Sequence, residues 1–167
     1  IGAKYLKEIK QIDKIAIVDF DVHHGNGTQN ILWNDPDCLF ISIHQSKLFP
    51  FTGLENEKGK RKNIINIPVN VNSSSFEFRD IVDKVVIPRL RKFKPNFLLI
   101  SAGFDGEKDD QMSQTKWVES DFIYITKKLK SLAKEYCDER IVSCLEGGYH
   151  LEKLATCCVS HIKTLME

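Results

Sequence analysis

The chain has 167 residues, 42% of them hydrophobic and 28% charged, with a formal net charge of +1. That size and balance fit one globular domain with a real core and exclude a disordered or fibrous chain. Near-neutral charge removes any global electrostatic case for direct nucleic acid binding or an anionic membrane, and no apolar run reaches the ~18 to 20 residues of a membrane span. The five cysteines (Cys38, Cys137, Cys144, Cys157 and Cys158) are odd in number and lack CxxC spacing. They read as buried free thiols in a reducing, intracellular compartment.

In chain order, residues 1–11 read as a helix already under way, because no capping residue precedes Ile1. Apolar runs without polar alternation at 14–19, 38–43, Ile64–Val69, 97–101 and Ile141–Leu145 read as strands covered on both faces. The 55–62 stretch is charge-rich and reads as a solvated loop. A helix is predicted over 76–93, with Phe78, Val82, Val85 and Val86 facing the core and Pro88 kinking or ending it. A second is predicted from Phe122, Ile125, Leu129, Leu132, Ala133 and Tyr136, with Ser120 as its N-cap. Strand-helix alternation of this kind implies an α/β fold: a mainly parallel sheet flanked by helices and joined by right-handed crossovers.

The first strand runs into Asp19-Phe20-Asp21-Val22-His23-His24-Gly25-Asn26-Gly27. In extended backbone alternate side chains share a side, so Asp19, Asp21 and His23 can converge while Phe20 and Val22 face the core. Converging carboxylates in a low dielectric repel unless a cation neutralises them, and a divalent metal meets that need. A capping cluster beside a satisfied core histidine is the plainer alternative. Against it, Asp105 follows the strand at 97–101, Glu146-Gly147-Gly148-Tyr149 follows Ile141–Leu145, and Ser42-Ile43-His44 closes another strand. Polar groups thus gather at the carboxyl ends of four strands, where parallel sheets bind ligands. Asp21, His23 and Asp105 with an open fourth position suit catalytic zinc, and Tyr149 could donate to an oxyanion. A general base is missing: His24 should point away from His23, and His44 has no evident partner.

In order and spacing, the segments Asp19–Gln29, Ser101–Asp105 and Leu145–Tyr149 resemble the zinc-dependent histone deacetylases, most closely their class II branch. The resemblance implies an arginase/deacetylase-like fold, incomplete on its N-terminal side, with residues 1–167 as the carboxyl-terminal portion of one catalytic domain. It implies Asp21, His23 and Asp105 as Zn2+ ligands and Tyr149 as the residue polarising the acetyl carbonyl. Asp19, Ser42 and Ile43 would match a structural monovalent-cation (K+) site. Phe49 would wall the acetyl-lysine tunnel, Met112 would sit at its rim, and Gly147 and Gly148 would border the substrate. Asp19 and Asn26 would orient a tandem histidine pair, the family's base and acid, expected upstream of Ile1. Where relatives carry a glycine-rich loop this chain has Lys58-Gly59-Lys60-Arg61-Lys62. The implied activity is deacetylation of acetylated protein substrates such as histone tails, in nucleus or cytoplasm, with corepressor-type partners. The same motifs fit an acetylpolyamine amidohydrolase, and the missing pair fits a non-catalytic scaffold.

Overall fold

The computed structural model describes residues 1–167. Its elements are α1 (Gly2–Glu8), β1 (Ile15–Asp19), α2 (Asn26–Leu32), β2 (Cys38–Gln45), β3 (Ile64–Val69), α3 (Ser75–Ile81), α4 (Ile87–Phe93), β4 (Phe97–Ala102), α5 (Glu119–Tyr136), β5 (Ile141–Leu145) and α6 (Leu151–Met166). All five strands pair in parallel, in the order β3-β2-β1-β4-β5. The chain winds outward from β1 to β3, then crosses back to β4 on the other side of β1. That reversal opens a crevice at the carboxyl ends of β1 and β4, where ligands bind in open parallel sheets.

Strand alternation divides the side chains between two layers. Ala16, Val18, Leu39, Ile41, Leu98 and Ile100 face a large core built with Phe78, Val82, Leu90, Phe122, Ile125 and Leu129 of the helices. On the opposite face Ile15, Ile17, Cys38 and Phe40 pack against Ala3 and Leu6 of α1 and Leu32 of α2. The large core extends beneath the crevice through rings: Phe20 lies 6.0 Å from Phe104, which lies 5.2 Å from Phe122. Phe20 and Phe104 immediately precede Asp21 and Asp105, so packed aromatics anchor the backbone carrying both carboxylates.

Several elements differ from expectation for identifiable reasons. The strand at 38–43 continues to Gln45 because β3 stays paired with it as far as Val69, placing His44 inside the strand. Pro88 does not end its helix: a π-helical turn over Val82–Val86 precedes it, and the Ile87 amide bonds to the Val82 carbonyl, five residues back. Proline, without an N–H, is tolerated near the start of the following helix. Ser120 is not the N-cap of α5; Val118 holds that position, and the Asp121 carboxylate accepts the Val118 N–H at 2.9 Å. The Ser120 hydroxyl instead accepts from Arg79 Nη2 at 2.8 Å. The unforeseen helices are α2, rich in weak helix formers, and α6.

Cys38, Cys137 and Cys157 are buried and all five cysteines are free, but Cys144 is exposed, because β5 is an edge strand with Val142, Cys144 and Leu145 uncovered. The expectation of cover on both faces fails there. No helix is long and apolar enough to cross a membrane.

His161 of α6 joins α6 to α5 and β5. The Thr126 hydroxyl donates to the Phe122 carbonyl at 2.6 Å, so His161 Nδ1–H donates to Thr126 Oγ1 at 2.7 Å, and Nε2 accepts from Ser143 Oγ at 2.8 Å. This pairing suits a neutral ring, and burial lowers its pKa from the usual 6.5. As pH falls through ~6.5 the unfolded chain therefore takes up this proton first, and stability is lost. The urea midpoint is expected to fall between pH 7.5 and pH 5.5, and less steeply for His161→Gln; equal slopes would remove His161 as a source.

Candidate metal centre and active-site cleft

Beyond Asp19 the chain stays extended because both neighbours still hold it. The Phe20 amide donates to the Ser101 carbonyl at 3.1 Å and the Gln45 amide to the Val22 carbonyl at 2.9 Å. Phe20 and Val22 consequently lie fully in the core, and Asp21 and His23 project to the other side, as the period-two reading requires. Asp105 reaches the same point from β4. Its Oδ1 accepts the Val22 amide at 3.0 Å, and its Oδ2 lies 2.9 Å from His23 Nδ1. The His23 ring nitrogen is also 3.1 Å from Asp21 Oδ1. One potential donor atom from each of the three residues lies within 4.8 Å of the others.

Glycine makes the convergence possible from the remaining strand. The Gly147 amide donates to Asp21 Oδ2 at 2.8 Å, and a Cβ there would come within 2.2 Å of Asp105 Oδ2 and 2.6 Å of Asp21 Oδ2. At Gly103 a Cβ would meet Asp21 Oδ2 at 2.4 Å and its Cα at 2.5 Å. Only backbone fits at these two positions.

The electrostatics fit a cation site. Hydrogen bonds to Asp105 and Asp21 push the His23 pKa up to about 10 against its partial burial. Burial raises the pKa of the fully enclosed Asp105, with the Asp21 charge adding to it. Asp21 is lowered: burial acts upward, but hydrogen bonds from the His23 side chain and amide and from the Gly147 amide outweigh it. Asp19, 4% exposed, is raised well above the ordinary carboxylate range by burial and by Asp21. Two carboxylates and an imidazole make a donor set that zinc accepts.

Asp19, Asp21, His23, Phe49, Met112, Gly147 and Tyr149 all line one cleft of about 610 Å³. Phe49 is 69% exposed and stands edge-on to Phe51 at 6.4 Å. Burial first, then the charges of Asp105 and Asp21, raise the Tyr149 pKa, so its hydroxyl keeps its proton. Ser42 and Ile43 are fully buried in β2, with Ser42 opposite Asp19 in register.

The remaining candidate residues have these surroundings. Gly148 has a φ of +142°, a Cβ there would come within 2.6 Å of Leu154, and the residue is not among those lining the cleft. Asn26 is exposed, and its side chain accepts only the neighbouring Gly27 amide at 2.9 Å. His44 does have partners, Ser42 Oγ and the Gly53 carbonyl, each at 2.9 Å, and burial drives its pKa down to about 4. His24 bonds to Thr52 Oγ1 at 2.8 Å and Gln29 Oε1 at 3.0 Å. Gln29 Nε2 in turn donates to Glu57 at 2.7 Å, so the charge-rich loop is tied to the site rather than merely solvated. Sequence reasoning missed Asp110, which accepts the Tyr149, His150 and Met112 amides. Its one signal is an acidic residue five positions after Asp105, in a stretch rich in acids.

The sequence model of the histone deacetylase domain matches residues 1–165. The chain belongs to the histone deacetylase family. It is 45% identical to type-2 histone deacetylase 2 of Dictyostelium discoideum over 100% of this chain and 11% of that protein. To the chloroplastic histone deacetylase 14 of Arabidopsis thaliana it is 35% identical, over 99% of this chain and 40% of that protein. The crystal structure of the HDA15 HD domain superposes with a TM-score of 0.89 at 29% identity, covering 98% of this chain and 48% of that one. An acetylpolyamine aminohydrolase from Burkholderia pseudomallei gives a TM-score of 0.84 at 30% identity, over 93% of this chain and 46% of that one. The family's fold is the parallel sheet flanked by helices described above. The chain spans less than half the length of each of these relatives.

Gly147→Ala is expected to abolish stoichiometric uptake of a divalent metal, because its Cβ would lie 2.2 Å from Asp105 Oδ2. Gly27→Ala, whose Cβ meets nothing within 4 Å, should leave uptake intact. Metal analysis after dialysis checks both, and metal retained by Gly147→Ala would refute the assignment.

Proposed function

We propose that this chain carries the metal-binding half of the active site of a zinc-dependent protein lysine deacetylase, which hydrolyses acetyl-lysine side chains of histones or other proteins and releases acetate. The observation that supports it is the convergence of Asp21, His23 and the buried Asp105, with Asp21 and His23 lining one cleft together with Tyr149. Those three residues would hold zinc. When bound, zinc supplies Lewis-acid polarisation of the acyl carbonyl and lowers the pKa of water.

The chain's own groups then divide the remaining work. Tyr149, whose pKa is raised by partial desolvation and then by the charges of Asp105, Asp21 and Asp110, donates its hydroxyl proton in a hydrogen bond to the carbonyl oxygen as negative charge grows there. Phe49 offers an apolar wall to the lysine methylenes and Met112 a rim, and the Gly147 backbone borders the acyl group. His24 and His44 have both ring nitrogens engaged, so neither serves as base. In this reading the proton of the attacking water goes to the tandem histidine pair that the family resemblance places elsewhere. Asp19, Ser42 and Ile43 would hold a potassium ion: burial and the Asp21 charge disfavour ionised Asp19, and a bound cation would supply the counter-charge that its ionised form needs. Nuclear or cytoplasmic location, a role in transcription and corepressor-type partners belong to the same reading.

A second reading, acetylpolyamine hydrolysis, draws on the likeness to the Burkholderia structure. Rates of the intact protein on an acetyl-lysine peptide and on acetylspermidine separate the two, and this reading expects the peptide to be preferred. Tyr149→Phe should lower turnover about 10²- to 10³-fold, the usual cost of one oxyanion donor, with zinc content unchanged. Near-normal turnover by that variant would overturn the role given to Tyr149.

A further inference from the structure

We propose that Asp110 is the residue that positions Tyr149, a role that rests on the functional reading of Tyr149 above. Tyr149 is 57% exposed, so packing alone does not fix it and its backbone must. One carboxylate holds that backbone. Asp110 Oδ2 accepts the Tyr149 amide at 2.6 Å and the His150 amide at 3.0 Å, and its Oδ1 accepts the Met112 amide at 2.9 Å. Two residues earlier, Asp21 Oδ2 holds the Gly147 amide at 2.8 Å. The segment carrying Tyr149 is thus pinned on both sides by carboxylates, one of them from the metal cluster.

Asp110 can set a position because it is itself held. It is 5% exposed in a loop closed by backbone and side-chain bonds: Lys108 amide to Trp117 carbonyl at 2.9 Å, Thr115 hydroxyl to Gly106 carbonyl at 2.6 Å. The Gln114 amide reaches Gln45 Oε1 at 2.8 Å, and Lys153 Nζ of α6 lies 2.9 Å from Asp109. A carboxylate is the side chain suited to three N–H donors, because an ionised carboxylate only accepts. Its charge also sits at the N-terminus of the 16-residue α6, where the helix dipole favours an anion. Because Asp110 and the metal-cluster residue Asp105 share one loop, the clamp ties the position of the phenol to that of the metal cluster.

The test uses the intact, zinc-loaded protein. With Asp110→Ala, kcat is expected to fall about tenfold to a hundredfold, as misplacing a reacting group by ~1 Å does, with zinc content unchanged. KM should change by less than about threefold. Amide exchange at Tyr149 and His150 should accelerate while that at Gly147 stays slow. Asp110→Asn, whose single acceptor oxygen can still take the Tyr149 and His150 amides but not the Met112 amide as well, should recover part of kcat. In a Tyr149→Phe background Asp110→Ala should cost nothing further. An equal loss in that background, or no loss from Asp110→Ala in the wild-type background, overturns the proposal. So does fast exchange at Tyr149 and His150 in the unmodified protein, a measurement that needs no variant to fold. If Tyr149→Phe keeps full turnover it is the functional reading that fails, and the exchange data alone then support or refute the clamp.

Discussion

Two carboxylates at the end of the sheet, Asp21 and Asp105, dominate this structure, because bringing both out of water beside one another is unfavourable unless positive charge and donors meet them. Every neighbour answers that demand. His23 places Nδ1 between them, and the Val22 amide turns to Asp105. The Gly147 amide turns to Asp21. The glycines at 103 and 147 exist at these positions because backbone must approach where no Cβ fits. Such an arrangement stabilises a bound cation at the expense of the fold without it.

The sheet supplies the rigidity that this demand requires. β1 is central, every one of its residues is buried, and its two neighbours continue to hold the chain beyond Asp19. The strand order reverses beside it, so loops from β1 and β4 diverge to opposite sides and leave the crevice between them. Behind the carboxylates, Phe20, Phe104 and Phe122 form a continuous aromatic contact with α5. The large core therefore bears directly on the geometry of the Asp21, His23 and Asp105 cluster.

Polar residues near the cleft fall into two groups by what they touch. The tilted rings of His24 and His44 lie 4.7 Å apart and spend all four ring nitrogens on Thr52, Gln29, Ser42 and the Gly53 carbonyl. They hold the turn that presents Phe49 rather than serving the chemistry. His23 alone directs a ring nitrogen at the carboxylates. Asp110 belongs to the first group by contact, but what it holds is the backbone of Tyr149.

The strands and the parallel α/β class were legible in the sequence because unbroken apolar runs mark buried strands, and the shared side of Asp21 and His23 was legible from their spacing of two. The placement of Asp105 and Tyr149 at the same end of the sheet was legible because each follows such a run. Only the tertiary structure decided which polar groups were already engaged. His44 found Ser42 and Gly53, His24 found Thr52 and Gln29, and Ser120 gave the cap of α5 to Val118. The importance of Asp110 was equally invisible, since its three partners are backbone amides, two of them about 40 positions away. The physical reason is common to all of these. Periodicity records which side of its own element a residue faces, whereas hydrogen-bond satisfaction depends on what another element brings to that side.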